Sequence, residues 1–287
     1  MYSFPDMEPI HDNLSATTSR PQFQWKRLMV STLLILATVY GLMILAGLFL
    51  ADSMMFLPGL SSYRDGPDII KLPLSDVSNI SARMLENSSA RYTIIFSHGN
   101  AEDLGDVSWF LDEFKRHGFA VISYDYNGYG TSPGKPSARA ALANIEAVYD
   151  YLVTKRGVAP ERIIVWGRSI GSGPSVHLAA THRVGGLVIE SGFTSAFRVL
   201  TRIRLLPFDR FDNLHIIDRI NCPVLFIHGQ KDEIIPFWHG QRLFEAAQQP
   251  KMQFWVERAG HNDLSMVAGD AYWEAARRFE LLLGRKE

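Results

Sequence analysis

A chain of 287 residues, 47% apolar and 21% charged, has the composition of one sizeable domain with a large core and room for an appendage. Its formal net charge of −1 provides no basic field to gather nucleic acid, so partners must be sought through shape and chemistry. The single cysteine, Cys222, excludes an intramolecular disulfide and a multi-cysteine zinc site, and no metal or organic cofactor is implied.

Residues 1–27 read as a polar, disordered tail. Residues 28–51, LMVSTLLILATVYGLMILAGLFLA, form a run of 24 without a charge. As a helix the run would extend about 36 Å, enough to cross a hydrocarbon core of about 30 Å with some tilt. It lacks the polar face of a core helix, and it is too long for a signal-peptide apolar region, so the expectation is a retained transmembrane anchor. Basic residues set its direction. Arg20, Lys26 and Arg27 fall within residues 13–27, whereas only Arg64 falls within residues 52–66. That bias predicts a cytoplasmic N-terminus, with the following domain on the outer or periplasmic side.

A connector rich in Pro, Gly and Ser occupies residues 52–68, and residues 69–287 are expected to form the main domain. Residues 69–85 suit an antiparallel pair at the front edge. Short β-branched or aromatic runs follow at 92–96, 120–124, 162–166, 186–189, 223–227 and 252–256. Cys222 sits at the head of one of them, as a small buried hydrophobe would. Helical patterns fall between most of the runs, as at 138–155 and 240–247, and another closes the chain at 271–283. Such alternation predicts an α/β fold with right-handed crossovers and a mostly parallel sheet flanked by helices.

The central motif is Gly167-Arg168-Ser169-Ile170-Gly171, a G-x-S-x-G. The pentapeptide alone is weak, but it directly follows a strand and precedes a helical segment starting at Ser172, the setting of a nucleophile elbow. A serine hydroxyl needs a base to take its proton. Of the nine histidines, His261 lies just past the last strand, where elbow chemistry places the base. His228 reads as a packed strand-end residue, and His98 precedes the serine. For the acid that orients the base, the loop after residues 223–227 offers two carboxylates, Asp232 and Glu233. Asp232 is preferred because its shorter side chain sits earlier in the loop, nearer the carboxyl end of the sheet. Asp263 is the rival, two residues from His261 and better placed to hold the local turn. Ser97-His98-Gly99-Asn100-Ala101 follows another strand. Its turn positions the backbone N–H of Asn100, with that of Ile170, as an oxyanion hole.

These segments resemble a known family. Residues 96–105 (FSHGNAEDLG), 123–130 (SYDYNGYG), 134–137 (GKPS), the elbow, and Gly260-His261-Asn262-Asp263 are similar to the α/β-hydrolase branch of membrane-associated protein depalmitoylases and their bacterial, serine aminopeptidase-like relatives. The resemblance runs from about residue 69 to the C-terminus. It implies the α/β-hydrolase fold and places Ser169, Asp232 and His261 at the family's triad positions. The eukaryotic depalmitoylases carry a cysteine-rich, lipid-modified N-terminus; this chain has no cysteine before Cys222 and an apolar run instead.

The leading expectation is a serine hydrolase cleaving acyl esters or thioesters of small-molecule or lipid substrates through an acyl-enzyme on Ser169. A protein depalmitoylase, a serine peptidase or amidase, and a membrane-tethered binding protein without chemistry are the alternatives. Residues 190–222 hold Phe193, Phe197, Leu205, Leu206, Pro207, Phe208 and Phe211 among arginines, and read either as an apolar lid or as helices packed on the sheet.

Overall fold

The computed structural model describes residues 22–74 and 79–284. Of the expected tail, residues 1–21 lie outside the described residues, while Gln22 already belongs to a helix, so the helical run begins ahead of the uncharged segment. Helix α1, Gln22–Phe49, is 28 residues long. Its stretch Trp25–Phe49 is long and apolar enough to cross a membrane. The large side chains along it are exposed: Leu33, Leu34, Ile35 and Leu36 each show about 60% of their surface. The described residues divide into two units, the helix up to Ala46 and everything from Gly47 onward.

The second unit begins with the end of α1 and the short helix α2, Ala51–Met55. The edge pair β1, Ile69–Pro73, and β2, Asn79–Leu85, follows. Then come β3, Thr93–Ser97; α3, Ser108–Arg116; β4, Ala120–Tyr124; and α4, Ala138–Asp150, extended by a π-helical turn at Tyr151–Lys155. Next are β5, Ile163–Arg168; α5, Ser172–Thr181; β6, Gly186–Glu190; and the short helices α6, Ala196–Thr201, and α7, Asn213–Ile216. The chain closes with β7, Val224–Gly229; α8, Trp238–Ala246; β8, Lys251–Val256; α9, Leu264–Ala268; and α10, Asp270–Leu283.

The eight strands form one sheet in the order β1-β2-β4-β3-β5-β6-β7-β8. β2 is antiparallel to both of its neighbours, and every pairing from β4 to β8 is parallel. The antiparallel front edge and the mostly parallel sheet are as the sequence pattern predicts.

Strand residues feed two cores by simple alternation. Ile95, Ile163 and Val165 face one cluster with Ile145 and Val148 of α4 and Val176 of α5. Ile94, Phe96, Ile164 and Trp166 face the other, with Phe110 and Phe114 of α3 and Tyr272, Trp273 and Phe279 of α10. α4 shows how local sequence builds this. Ser137 caps it by accepting from Ala140 N–H at 3.0 Å, and Ala141, Asn144, Ile145, Val148 and Tyr149 repeat at helical spacing on its buried face. Parallel strands covered on both sides bring all their carboxyl ends to one edge, where loops are free to carry chemistry.

Residues 52–68, read from sequence as a connector, take part in this packing. Phe56 is only 3% exposed and joins the core beside Tyr126 and Tyr129. Within residues 190–222, Phe193 is buried and Phe211 packs on the core, while Leu200, Ile203 and Leu205 are exposed.

Candidate active site

β5 ends at Arg168, and a single 3-10 turn, Ser169–Gly171, leads into α5. Ser169 has φ +54°, a left-handed conformation that side-chain-bearing residues rarely adopt. The turn is that sharp because the chain passes close to itself. A Cβ on Gly171 would sit 2.1 Å from the Ser97 carbonyl oxygen, and one on Gly167 would sit 2.5 Å from the Gly171 carbonyl oxygen. Only glycine allows β5, the turn and the end of β3 to close in this way. The strain turns the Ser169 side chain out of the sheet edge, into a cleft of about 410 Å³.

The loop after β8 brings His261 to this cleft, and the loop after β7 brings Asp232 beneath it. His261 Nε2 lies 3.0 Å from Ser169 Oγ, and its Nδ1 lies 2.8 Å from Asp232 Oδ2. Since an ionised carboxylate only accepts, Nδ1 carries the proton and Nε2 is left as an acceptor facing the serine. Asp232 is held from several sides. Its Oδ1 accepts the Ile234 and Ile235 N–H groups at 3.0 and 2.7 Å. Burial by itself would raise its pKa, but hydrogen bonds from His228 and His261, the charge of His261 and the Ile235 N–H hold it well below the usual carboxylate range. Asp263 does a different job: its Oδ1 accepts from Gly260 N–H at 2.7 Å, holding the turn that presents His261.

Asn100 lines the cleft beside Ser169, and Ile170 follows the serine in the 3-10 turn. The loop carrying Asn100 is itself strained, with Ala101 at φ +59°. Glu102 Oε2 ties it down by accepting from Gly99 N–H at 2.8 Å, and the other oxygen of Glu102 is paired with Arg168. The Arg168 guanidinium sits 5.5 and 5.4 Å from the Phe96 and Phe110 ring centroids. Burial is the largest single influence on Glu102 and pushes its pKa up. The charge and hydrogen bond of Arg168, with smaller help from His98 and the Gly99 N–H, together outweigh it and hold the carboxyl below its ordinary value, so the carboxylate stays ionised.

Sequence reasoning did not single out two of these partners. The Arg168–Glu102 pair was signalled only by a charge at the end of a buried strand, which demands a partner. His228, read as a packed strand-end residue, is almost fully buried, with Nε2 2.9 Å from the Ile235 carbonyl oxygen and 3.3 Å from Asp232 Oδ2. It is a second donor to the same carboxylate. The cleft is also lined by Ile234 and Asn262, and none of its lining residues comes from residues 190–222. Among the described residues no group of three or more His, Cys, Asp or Glu side chains is arranged to hold a metal ion.

With this geometry in view, comparisons with known proteins are informative. A family profile described as serine aminopeptidase, S33, matches residues 88–201. Alpha/beta hydrolase domain-containing protein 17B of Xenopus laevis is 44% identical over 194 residues, covering 67% of this chain and 67% of that protein. The Homo sapiens protein of the same name is 43% identical over 194 residues, with the same coverage of 67% on each side. An esterase structure from Pyrococcus furiosus superposes with a TM-score of 0.66 at 18% identity, covering 79% of this chain and 99% of that one. A puromycin-hydrolyzing peptidase of Mycobacterium tuberculosis gives a TM-score of 0.60 at 17% identity, covering 76% of this chain and 39% of that one. At such identities the structural likeness speaks for the fold.

Proposed function

The chain belongs to the α/β-hydrolase superfamily and is a hydrolase, and on that footing we propose that it cleaves acyl esters or thioesters through an acyl-enzyme on Ser169. The observation that carries this reading is the continuous line from Ser169 Oγ through His261 to Asp232, at 3.0 and 2.8 Å.

In the proposed reaction His261 Nε2 takes the Ser169 hydroxyl proton as Oγ attacks the acyl carbonyl. The backbone N–H groups of Asn100 and Ile170 receive the negative oxygen of the tetrahedral intermediate. His261 then gives its proton to the departing alkoxide or thiolate. Water repeats the sequence and frees the acid. Asp232 stays ionised throughout, keeping the proton on Nδ1 and stabilising the imidazolium as it forms.

The apolar helix Trp25–Phe49 suits a membrane anchor, which would hold the hydrolase near substrates with a lipid tail. The basic residues ahead of it favour an N-terminus in the cytoplasm and a hydrolase unit outside. A second reading, a thioester on a protein cysteine, draws on the likeness of the loop motifs to protein depalmitoylases. It requires the hydrolase unit to share a compartment with such proteins.

Reaction of the full chain with a fluorophosphonate probe, alongside turnover of a panel of acyl esters, acyl thioesters and aminoacyl amides, tests the proposal. Ser169→Ala should lose both labelling and turnover while its thermal unfolding stays near that of the parent, since removing one hydroxyl leaves almost no cavity. Near-normal turnover in that variant would refute the assignment.

A further inference from the structure

The side chain of Asn100 makes contacts that the proposed chemistry does not use. Its Nδ2 donates to the Met55 carbonyl oxygen at 2.7 Å, and its Oδ1 accepts from the Leu57 N–H at 2.9 Å. The Leu57 N–H is shared with the Tyr129 hydroxyl at 2.9 Å, and that hydroxyl also donates to Asn100 Oδ1. One amide side chain thus reads both a carbonyl and an N–H of the same short segment, 43 and 45 residues earlier in the chain.

Between those two backbone groups lies Phe56, which fixes the segment. Its ring is 6.2, 6.4 and 6.4 Å from the rings of Tyr126, Tyr129 and Phe211. The segment follows directly from the apolar helix: Met55 comes six residues after Phe49.

We propose that Met55–Leu57, seated by Phe56, is a positioning element of the oxyanion site, setting the direction of the Asn100 backbone N–H by gripping the Asn100 side chain. The inference rests on the reading of Asn100 as an oxyanion donor. The strain in the loop gives the grip its purpose. Ala101 at φ +59° follows Asn100 immediately, and its N–H is held by Asn100 Oδ1 at 3.0 Å. Glu102 fixes the other side through Gly99 N–H. A donor aimed at an oxyanion must be in place before the charge develops, and a strained loop keeps such an aim only when its surroundings over-determine it. Here the residues that do so come from the chain's membrane-proximal segment, which becomes part of the active site instead of a passive tether.

A double-mutant cycle on the full chain in detergent tests this. Asn100→Ala keeps the backbone N–H but removes the grip, and Phe56→Ala loosens the segment without touching the cleft. Each should lower kcat on a short soluble ester by about 10–100-fold, less than outright loss of an oxyanion donor, with KM changed by no more than about twofold. Affinity for a trifluoromethyl ketone transition-state analogue should fall in step with kcat. The double variant should be no worse than the worse single variant, because both act through one contact. Phe56→Leu, which refills most of the pocket, should restore most of kcat. A folded Asn100→Ala with parental kcat overturns the proposal, and so does a double variant whose loss is the product of the single losses. Should Phe56→Ala not fold, Asn100→Asp stands in for it: Oδ1 is kept for Leu57 and Ala101, but an oxygen is set against the Met55 carbonyl. A loss matching that of Asn100→Ala supports the grip, and parental kcat overturns it. These failures are distinct from failure of the functional reading, which would appear as turnover in Ser169→Ala.

Discussion

Replacing Asp232 by Asn separates the acid from its rival more sharply than any other change. Oδ1 of the new amide can still accept the Ile234 and Ile235 N–H groups, so the loop has no reason to move. Its NH2 then faces His261 Nδ1 at the 2.8 Å position and confronts the donating Nε2 of His228, 3.3 Å away. A donor at that place makes His261 present Nδ1 as acceptor and carry its proton on Nε2, against the Ser169 hydroxyl. The base is then in the wrong tautomer. The same change in a serine protease triad lowers kcat about 10⁴-fold with geometry intact, which at about 1.4 kcal/mol per tenfold is about 5 kcal/mol of lost transition-state stabilisation. Asp263→Asn should differ by no more than about threefold, because an amide oxygen can accept the single Gly260 N–H that the carboxylate now takes. Steady-state hydrolysis of a p-nitrophenyl acyl ester by purified variants, with circular dichroism as the fold control, reads both. A mild Asp232→Asn and a crippled Asp263→Asn would refute the reasoning and move the acid to Asp263.

Gly171→Ala should destabilise the chain by about 1–3 kcal/mol or prevent its folding, since the new Cβ meets a backbone carbonyl oxygen at 2.1 Å; urea unfolding measures it, and an unchanged midpoint would show the turn to be looser than it looks. A chain beginning at Gly47 retains the whole second unit and should match the full chain on short soluble esters, whereas one beginning at Asp68 loses Phe56 from the core and should be inactive. An alkaline phosphatase fusion after Glu287, active only outside the cytoplasm, should be active if the hydrolase unit is outside. A stable but inactive fusion would place it in the cytoplasm and favour the protein-thioester reading.

The strands, their alternation with helices and the elbow were legible in the amino-acid sequence because each depends on near neighbours. Buried parallel strands need continuous apolar runs such as residues 120–124, and the sharp turn at Ser169 needs glycine on both sides. Chain order at successive strand ends was enough to single out His261 and Asp232, which lie 92 and 63 positions beyond the serine. What only the tertiary structure decided were contacts between segments whose local patterns carry no signal. Phe56 sits in a stretch rich in Pro, Gly and Ser that reads as a linker, and its burial depends on Tyr126, Tyr129 and Phe211 closing around it. The pairing of Glu102 with Arg168, the approach of His228 to Asp232 and the grip of Met55 and Leu57 on Asn100 belong to the same class. Periodicity and turn chemistry act over a few residues and leave a mark in the sequence there. A hydrogen bond between residues 43 apart is set by how finished elements dock, and nothing in the neighbourhood of either partner encodes the other.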